Sequence, residues 1–357
     1  MSILALRMAA RSNAVSRLHG VTARKTWHIL WPEAKEDEVP ISHITNGVHV
    51  PTWVASQMWR LYERYLGTDW LKRHDYPQPW EQVLDIPGEE LWQVHLSLKR
   101  QLMRAIGERA QERWASGEVA AQQVLGMCAL LDPDVLTIAF VRRFTEYKRP
   151  ALILHDVQRL KRIVNDPWRP VQIVFAGKSH PADLVSKHLL ERVYGMATDR
   201  EFRGRIGFVE DYDMHVARYL VQGVDVWLNT PRRLNEASGT SGMKAALNGV
   251  LNLGVRDGWW HEAYNGSNGW AIGPGPELAG SAEEDRIDAE ALYTLLEKEV
   301  VPMYYERDRG GVPQAWMRIV KESIRSIVPS FSARRMMTEY AERMYMPAMR
   351  ATVDGKP

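Results

Sequence analysis

Val135-Leu-Thr-Ile-Ala-Phe-Val141 runs directly into Arg142-Arg-Phe-Thr-Glu-Tyr-Lys-Arg149. An apolar run rich in β-branched and aromatic residues, closed by a polar turn, reads as a strand buried on both faces. The same pattern recurs outward along the chain. Val171–Ala176 is followed by Gly177-Lys178-Ser179-His180-Pro181, and further runs fall at Ile206–Val209, Val224–Leu228 and Val250–Val255. Between them, amphipathic stretches predict helices over 151–163, 182–194 and 214–221, and Ser241–Leu247 leads into the last run. Strands alternating with helices predict a doubly wound, parallel-sheet (Rossmann-like) α/β domain, whose ligands bind outside the carboxyl ends of the strands.

On either side the pattern is helical. Residues 1–40 read as a helix followed by a charged connection from Trp31-Pro32 to Glu38, and short helices are expected around Pro51–Leu66. Pro87-Gly88 opens a long helix with Leu91, Val94, Leu98, Leu102 and Ile106 on one face. The tail from Asp285 reads as helical to about Met346, broken near Gly310-Gly311-Val312-Pro313.

Composition bounds the function classes. The 357 residues carry 45% hydrophobic and 25% charged side chains, the balance of a globular protein with a core. A net charge of +2 argues against nucleic acid or an acidic membrane as a partner. No stretch approaches the ~20 apolar residues of a membrane span. The single cysteine, Cys128, excludes an internal disulfide and suits a reducing cytoplasm. Fourteen tryptophans suit either an aromatic core or flat sugar-binding faces.

Three polar stretches follow predicted strands. Arg142, Arg143, Lys148 and Arg149 put four cations into eight residues at a turn expected to lead into a helix, a pattern that suits an anion. Alone, such a cluster is more often a solvated basic turn. Gly177-Lys178 permits close backbone approach beside a charge, or is a surface turn. Asn235-Glu-Ala-Ser-Gly-Thr-Ser-Gly-Met-Lys244 is a loop of small residues that could meet hydroxyls or phosphate. Lys244 lies among Met243, Ala245, Ala246 and Leu247, where burial would make its amine nucleophilic toward an aldehyde. A lysine snorkelling from an amphipathic helix is the alternative.

Glu236-Ala-Ser-Gly-Thr-Ser-Gly-Met-Lys244 with Asn248-Gly249 resembles the pyridoxal-phosphate lysine motif of the glycogen, starch and maltodextrin phosphorylases. Arg143–Arg149 resembles their phosphate-site motif, and Thr45-Asn46-Gly47-Val48 and Asn13–Gly20 match two further stretches in the family's order. Ser241-Gly242 and Thr145 resemble the shorter bacterial and archaeal branch.

The resemblance implies a glycosyltransferase-B architecture and retaining phosphorolysis of an α-1,4-glucan or maltodextrin by orthophosphate, releasing glucose 1-phosphate. It implies Lys244 as the Schiff-base residue for pyridoxal 5′-phosphate, with Arg142, Thr240 and Tyr212 near the cofactor. Arg143, Lys148 and Glu236 are then catalytic, the two cations holding phosphate. Asn46, Tyr147, Glu236, Ser238 and Gly239 would bind the transferred glucose, and Gly177-Lys178 would be a supporting loop.

The family's Gly-rich phosphate loop and cleft histidine belong to an N-terminal domain with no match in this sequence. The expected division is therefore 1–45 as the remnant of that domain and a crossover, 46–330 as the cofactor-binding α/β domain with a helical insert about 50–130, and 331–357 as a C-terminal helix returning toward the missing domain. On that reading the chain alone has reduced activity or none, and its oligomeric state, homo-oligomer included, is open. A nucleotide-sugar glycosyltransferase of the glycogen-synthase kind and a non-catalytic remnant are the alternatives.

Overall fold

The computed structural model describes residues 1–118, 120, 132–275 and 283–353, so Cys128 and part of the expected insert lie outside the described residues. At its centre is a six-stranded, wholly parallel sheet of β3 (Leu136–Val141), β4 (Val171–Ala176), β5 (Ile206–Val209), β6 (Val226–Asn229), β7 (Leu251–Val255) and β8 (Gly269–Ile272). Every residue of β3, β4, β5 and β7 is buried, as strands covered on both faces require, and the polar Thr137, Gln172 and Asn252 among them are hydrogen-bonded inside.

The spatial order is β5-β4-β3-β6-β7-β8. Counted from β3 this is 3-2-1-4-5-6, the doubly wound order, and the chain reverses direction across the sheet between β3 and β6. The crevice at that reversal is where the loops carrying Arg142–Arg149 and Thr230–Thr240 emerge.

Aspartates set where the surrounding helices begin. Asp156, Asp183 and Asp213 each accept a hydrogen bond from a backbone N–H of the first turn, opening Val157–Val164, Leu184–Thr198 and Met214–Gly223. The first of these corrects the expected helix over 151–163. Residues 146–148 and 152–154 form only 3₁₀ turns, and the α-helix waits for its cap at Asp156. The cations after β3 therefore do not sit on an α-helix N-terminus.

The long helix Gly88–Ala115 buries Leu91, Trp92 and Leu98 in one apolar cluster with the sheet and Leu102 in a second. A buried ionic cluster joins them as well. Lys99 Nζ donates to Asp225 Oδ2 at 2.5 Å, to Val135 O at 2.6 Å and to Tyr304 OH at 3.0 Å, while His95 Nε2 lies 2.6 Å from Asp225 Oδ1. Burial pushes the Asp225 carboxyl up, but Lys99 and His95 outweigh it and hold it below its usual value.

Three strands had no counterpart in the sequence reading: β8, and a small parallel pair of β1 (Ser12–Ala14) with β2 (Ile41–His43). The pair has its own apolar cluster of Ala14, Ala23, Val39 and Ile41. Beyond it, Val48 N donates to Phe331 O and Ala333 N to Val48 O, both at 2.8 Å, stitching this segment to the start of the helix Ala333–Tyr340. The tail is helical on both sides of the break expected at 310–313, with helices Glu284–Leu295 and Gln314–Ile327 flanking it. No helix among the described residues is long and apolar enough to cross a membrane.

Candidate active site at the switch of the sheet

The loop after β3 is held open by its neighbour. Arg142 N donates to Ala176 O at 3.1 Å and Phe144 N to Lys178 O at 3.0 Å, so residues 176–178 continue the strand pairing into the loop. Gly177 makes this possible, because a Cβ there would stand 1.9 Å from Arg142 O. Phe144 is buried beneath the turn, while Arg143 before it is exposed.

Across the crevice, the loop after β6 presents Glu236. Arg142 Nη2 donates to Glu236 Oε2 at 2.5 Å, and Lys148 Nζ lies 4.0 Å from the same oxygen. Arg142 is buried, Lys148 half-buried and Arg143 exposed. Burial, then Arg142 and Arg143, push the Lys148 amine down to about 8 against the opposing pull of Glu236. Tyr147 feels the same group of charges, and burial raises its phenol. Arg142, Arg143, Tyr147, Lys148 and Glu236 thus form one electrostatic unit, drawn from segments about 90 residues apart in sequence.

Ser238 is buried, and Gly239 follows it at φ +76. This loop is backed by Asp257, which ends the turn after β7. Its Oδ2 accepts from Glu236 N and its Oδ1 from Gly258 N, both at 2.9 Å, while Trp259 N donates to Ser238 O. Burial raises the Asp257 carboxyl to about 6, although backbone N–H groups oppose the shift. From the other side, buried Ser16 donates to Ala237 O at 2.6 Å. Arg142, Glu236, Ser238, Gly239, Asp257 and Trp259 line one small cleft.

Thr240 precedes the short helix Ser241–Ala246, where Lys244 N bonds back to Thr240 O. Lys244 is half-buried, and burial lowers its amine from the ordinary value. No salt bridge engages it among the described residues; its Nζ instead stands 3.8 Å from the ring centroid of Trp53. Asn248 fixes that ring's backbone by donating to Trp53 O at 2.9 Å and accepting from Ala55 N at 2.8 Å. Tyr212 and Trp53 both pack on the apolar cluster that contains Ala245. Asn46 lies at the β1–β2 end of the molecule, bonded to Val15 O and to Arg335.

Trp53, Asp257, Trp259 and Ser16 were not singled out from the sequence. Asp257-Gly258 follows a strand, so the strand-end rule could have found it. The contact of Trp53 with Lys244 bridges 191 positions and leaves no local signal.

Fold and cleft together define a class: a doubly wound α/β domain whose cationic loop after β3 and Glu236-bearing loop after β6 meet at the switch point of the sheet. Within that class the chain belongs to the carbohydrate phosphorylase family, whose model, described as "Carbohydrate phosphorylase", matches residues 1–264. It is 51% identical over 344 residues to a glycogen phosphorylase of Aquifex aeolicus, covering 96% of this chain and 49% of that protein. It is 47% identical over 350 residues to a maltodextrin phosphorylase of Thermococcus litoralis, covering 98% of this chain and 41% of that protein. To a glycogen phosphorylase of Mycobacterium tuberculosis it is 42% identical over 348 residues, with coverage of 98% and 40%. The chain therefore spans less than half the length of these relatives.

Proposed function

We propose that this chain carries the cofactor-bearing side of a site for α-1,4-glucan phosphorolysis, in which orthophosphate releases the terminal glucose as glucose 1-phosphate with retained configuration. The observation that carries the reading is Lys244: an amine without a carboxylate partner among the described residues, lowered by burial, on the helix that follows the Glu236–Thr240 loop.

Pyridoxal 5′-phosphate fits the groups present. Lys244 offers an amine suited to its aldehyde, Trp53 a flat apolar face, and the Arg142–Lys148 loop the cations a phosphate ester needs. In this reading Arg142, Thr240 and Tyr212 complete the cofactor's surroundings. When bound, the cofactor supplies a phosphate group that gives and takes a proton beside the substrate phosphate.

The chain's own residues do the rest. Arg143 and Lys148 hold orthophosphate, and the dianion keeps the low-lying Lys148 amine protonated. Glu236, Ser238 and Gly239 bind hydroxyls of the transferred glucose, Asn46 its 6-hydroxyl, and Tyr147 lies along the sugar. A held phosphate dianion then stabilises positive charge developing at the sugar's anomeric carbon. Residues 1–45 and 331–357 flank the central domain at 46–330, and a second α/β domain facing the strand ends would close the cleft and exclude water. The site would work in the cytoplasm.

The test is chemical. The chain is mixed with pyridoxal phosphate, reduced with borohydride and digested, and the modified peptides are located by mass spectrometry. Label concentrated at Lys244, and lost in Lys244→Ala, supports the proposal. Label spread over exposed lysines with no preference for Lys244 refutes it.

A further inference from the structure

Behind the two loops that form the cleft stands a buried carboxylate that the reaction itself does not require. Asp288, on the helix Glu284–Leu295, is completely buried. Its Oδ1 accepts from Arg233 Nη2 at 2.7 Å, and its Oδ2 accepts from Arg233 Nη1 at 2.7 Å and from Arg149 Nη2 at 2.6 Å. Arg149 belongs to the loop after β3 and also donates to Thr230 O and Pro231 O, both at 2.9 Å. Arg233 belongs to the loop after β6 and also donates to Pro274 O, just past β8, at 2.9 Å. Through these arginines, which Glu284 and Asp285 of the same helix also hold, Asp288 ties together chain leaving three strands.

Both loops are strained where they are gripped. Arg149 has φ +47, and Leu234, beside Arg233, has φ +66. Bulky residues rarely adopt this left-handed region, and such backbone persists only where its surroundings over-determine it. The strained residues adjoin the cleft: Lys148 immediately precedes Arg149, and Glu236 follows Leu234 by two positions. Thr230 Oγ1 adds bonds to Lys148 O and Arg149 O at 3.1 Å, fastening the two loops to each other.

We propose that Asp288 is a positioning residue: by locking these loops from behind, it sets the placement of Lys148 against Glu236 across the cleft. The value of that placement for phosphorolysis rests on the function proposed above, but the positioning can be tested apart from it. A buried carboxylate shared by two guanidiniums carries a desolvation cost that apolar packing would avoid, so a purely space-filling role accounts poorly for it.

The experiment reads the Lys148 amine, which faces Arg142, Arg143 and Glu236. Trace acetylation of the full chain from about pH 6 to about 11, quantified at Lys148 by mass spectrometry, gives its titration curve. In the parent protein the midpoint falls near 8, as burial dictates. In Asp288→Asn the loop relaxes and the amine regains water. The midpoint then rises by a unit or more, and labelling at neutral pH falls about tenfold. Arg233→Lys, which keeps the charge but loses the fork, moves it the same way and serves if Asp288→Asn does not fold.

Asp225→Asn is the control. It removes a buried carboxylate from the cluster joining the Gly88–Ala115 helix to the sheet, and it should lower stability while leaving the Lys148 curve in place. An unchanged midpoint in folded Asp288→Asn or Arg233→Lys overturns the proposal, as does an equal shift in Asp225→Asn. Calorimetric titration with inorganic phosphate separates the two ideas. If the midpoint moves as expected but the parent protein takes up neither phosphate nor pyridoxal phosphate, the positioning role stands and the functional reading falls.

Discussion

Gly258 supports the Glu236–Gly239 loop from below, and replacing it tests how tightly that loop is held. Its φ is +53, and a Cβ placed on it would lie 2.3 Å from Ser238 O and 3.0 Å from Glu236 O. Gly258→Ala meets two costs. Left-handed backbone costs an L-residue about 1–2 kcal/mol. Carbon and carbonyl oxygen rest at about 3.3 Å or more, so the loop must move by about 1 Å, an overpacking that costs about 1–3 kcal/mol. The total is about 2–5 kcal/mol. With about 2.1 cal/mol/K of unfolding entropy per residue, a chain of this length loses about 3–7 °C in melting temperature. Gly266 is the internal reference: its φ is +89 and a Cβ there meets nothing within 4 Å, so Gly266→Ala carries only the backbone cost and about 1–3 °C. Melting curves of the two variants give the contact energy by difference, and hydrogen exchange at residues 236–239 reports whether the loop has moved. Equal melting temperatures with unchanged exchange would refute the claim that this loop is packed from below.

Asp257 gives a pH-dependent expectation. Its carboxyl is raised from 3.8 to about 6, so the stability it contributes is complete below about pH 4 and lost as the pH rises through 6. The change is about 3 kcal/mol, and urea unfolding across that window should show the parent protein losing this much relative to Asp257→Asn. Lys99→Met leaves the Asp225 carboxylate buried with only His95 and backbone for company, a loss of about 3–5 kcal/mol readable by urea unfolding at neutral pH.

The sheet was legible because burial on both faces leaves a strong local mark. The runs 136–141 and 171–176 are apolar but for Thr137 and Gln172, which bond each other, and little else packs that way. β8 left no such mark, since Gly269-Trp-Ala-Ile follows a turn of Asn265-Gly266-Ser267-Asn268 and gains its identity only from pairing with β7. The three-residue strands β1 and β2 were invisible for the same reason. At the cleft, Arg142, Lys148 and Glu236 were legible as charges following strands, and the structure brings them to one place. Asp288 was not, because an acidic residue in Glu284-Asp-Arg-Ile-Asp288 looks like the wet side of a surface helix until two distant arginines are folded onto it.

Among the described residues, one cluster of opposite charges is sealed around Asp225 against the long helix and another around Asp288 behind the cleft. Keeping ions out of water becomes less costly as temperature rises, because their hydration carries a strongly negative entropy. Heating should therefore strengthen both anchors relative to the oily contacts between them, and a preparation grown hot would keep its cleft walls in register longer than a core of equal size built from hydrocarbon alone.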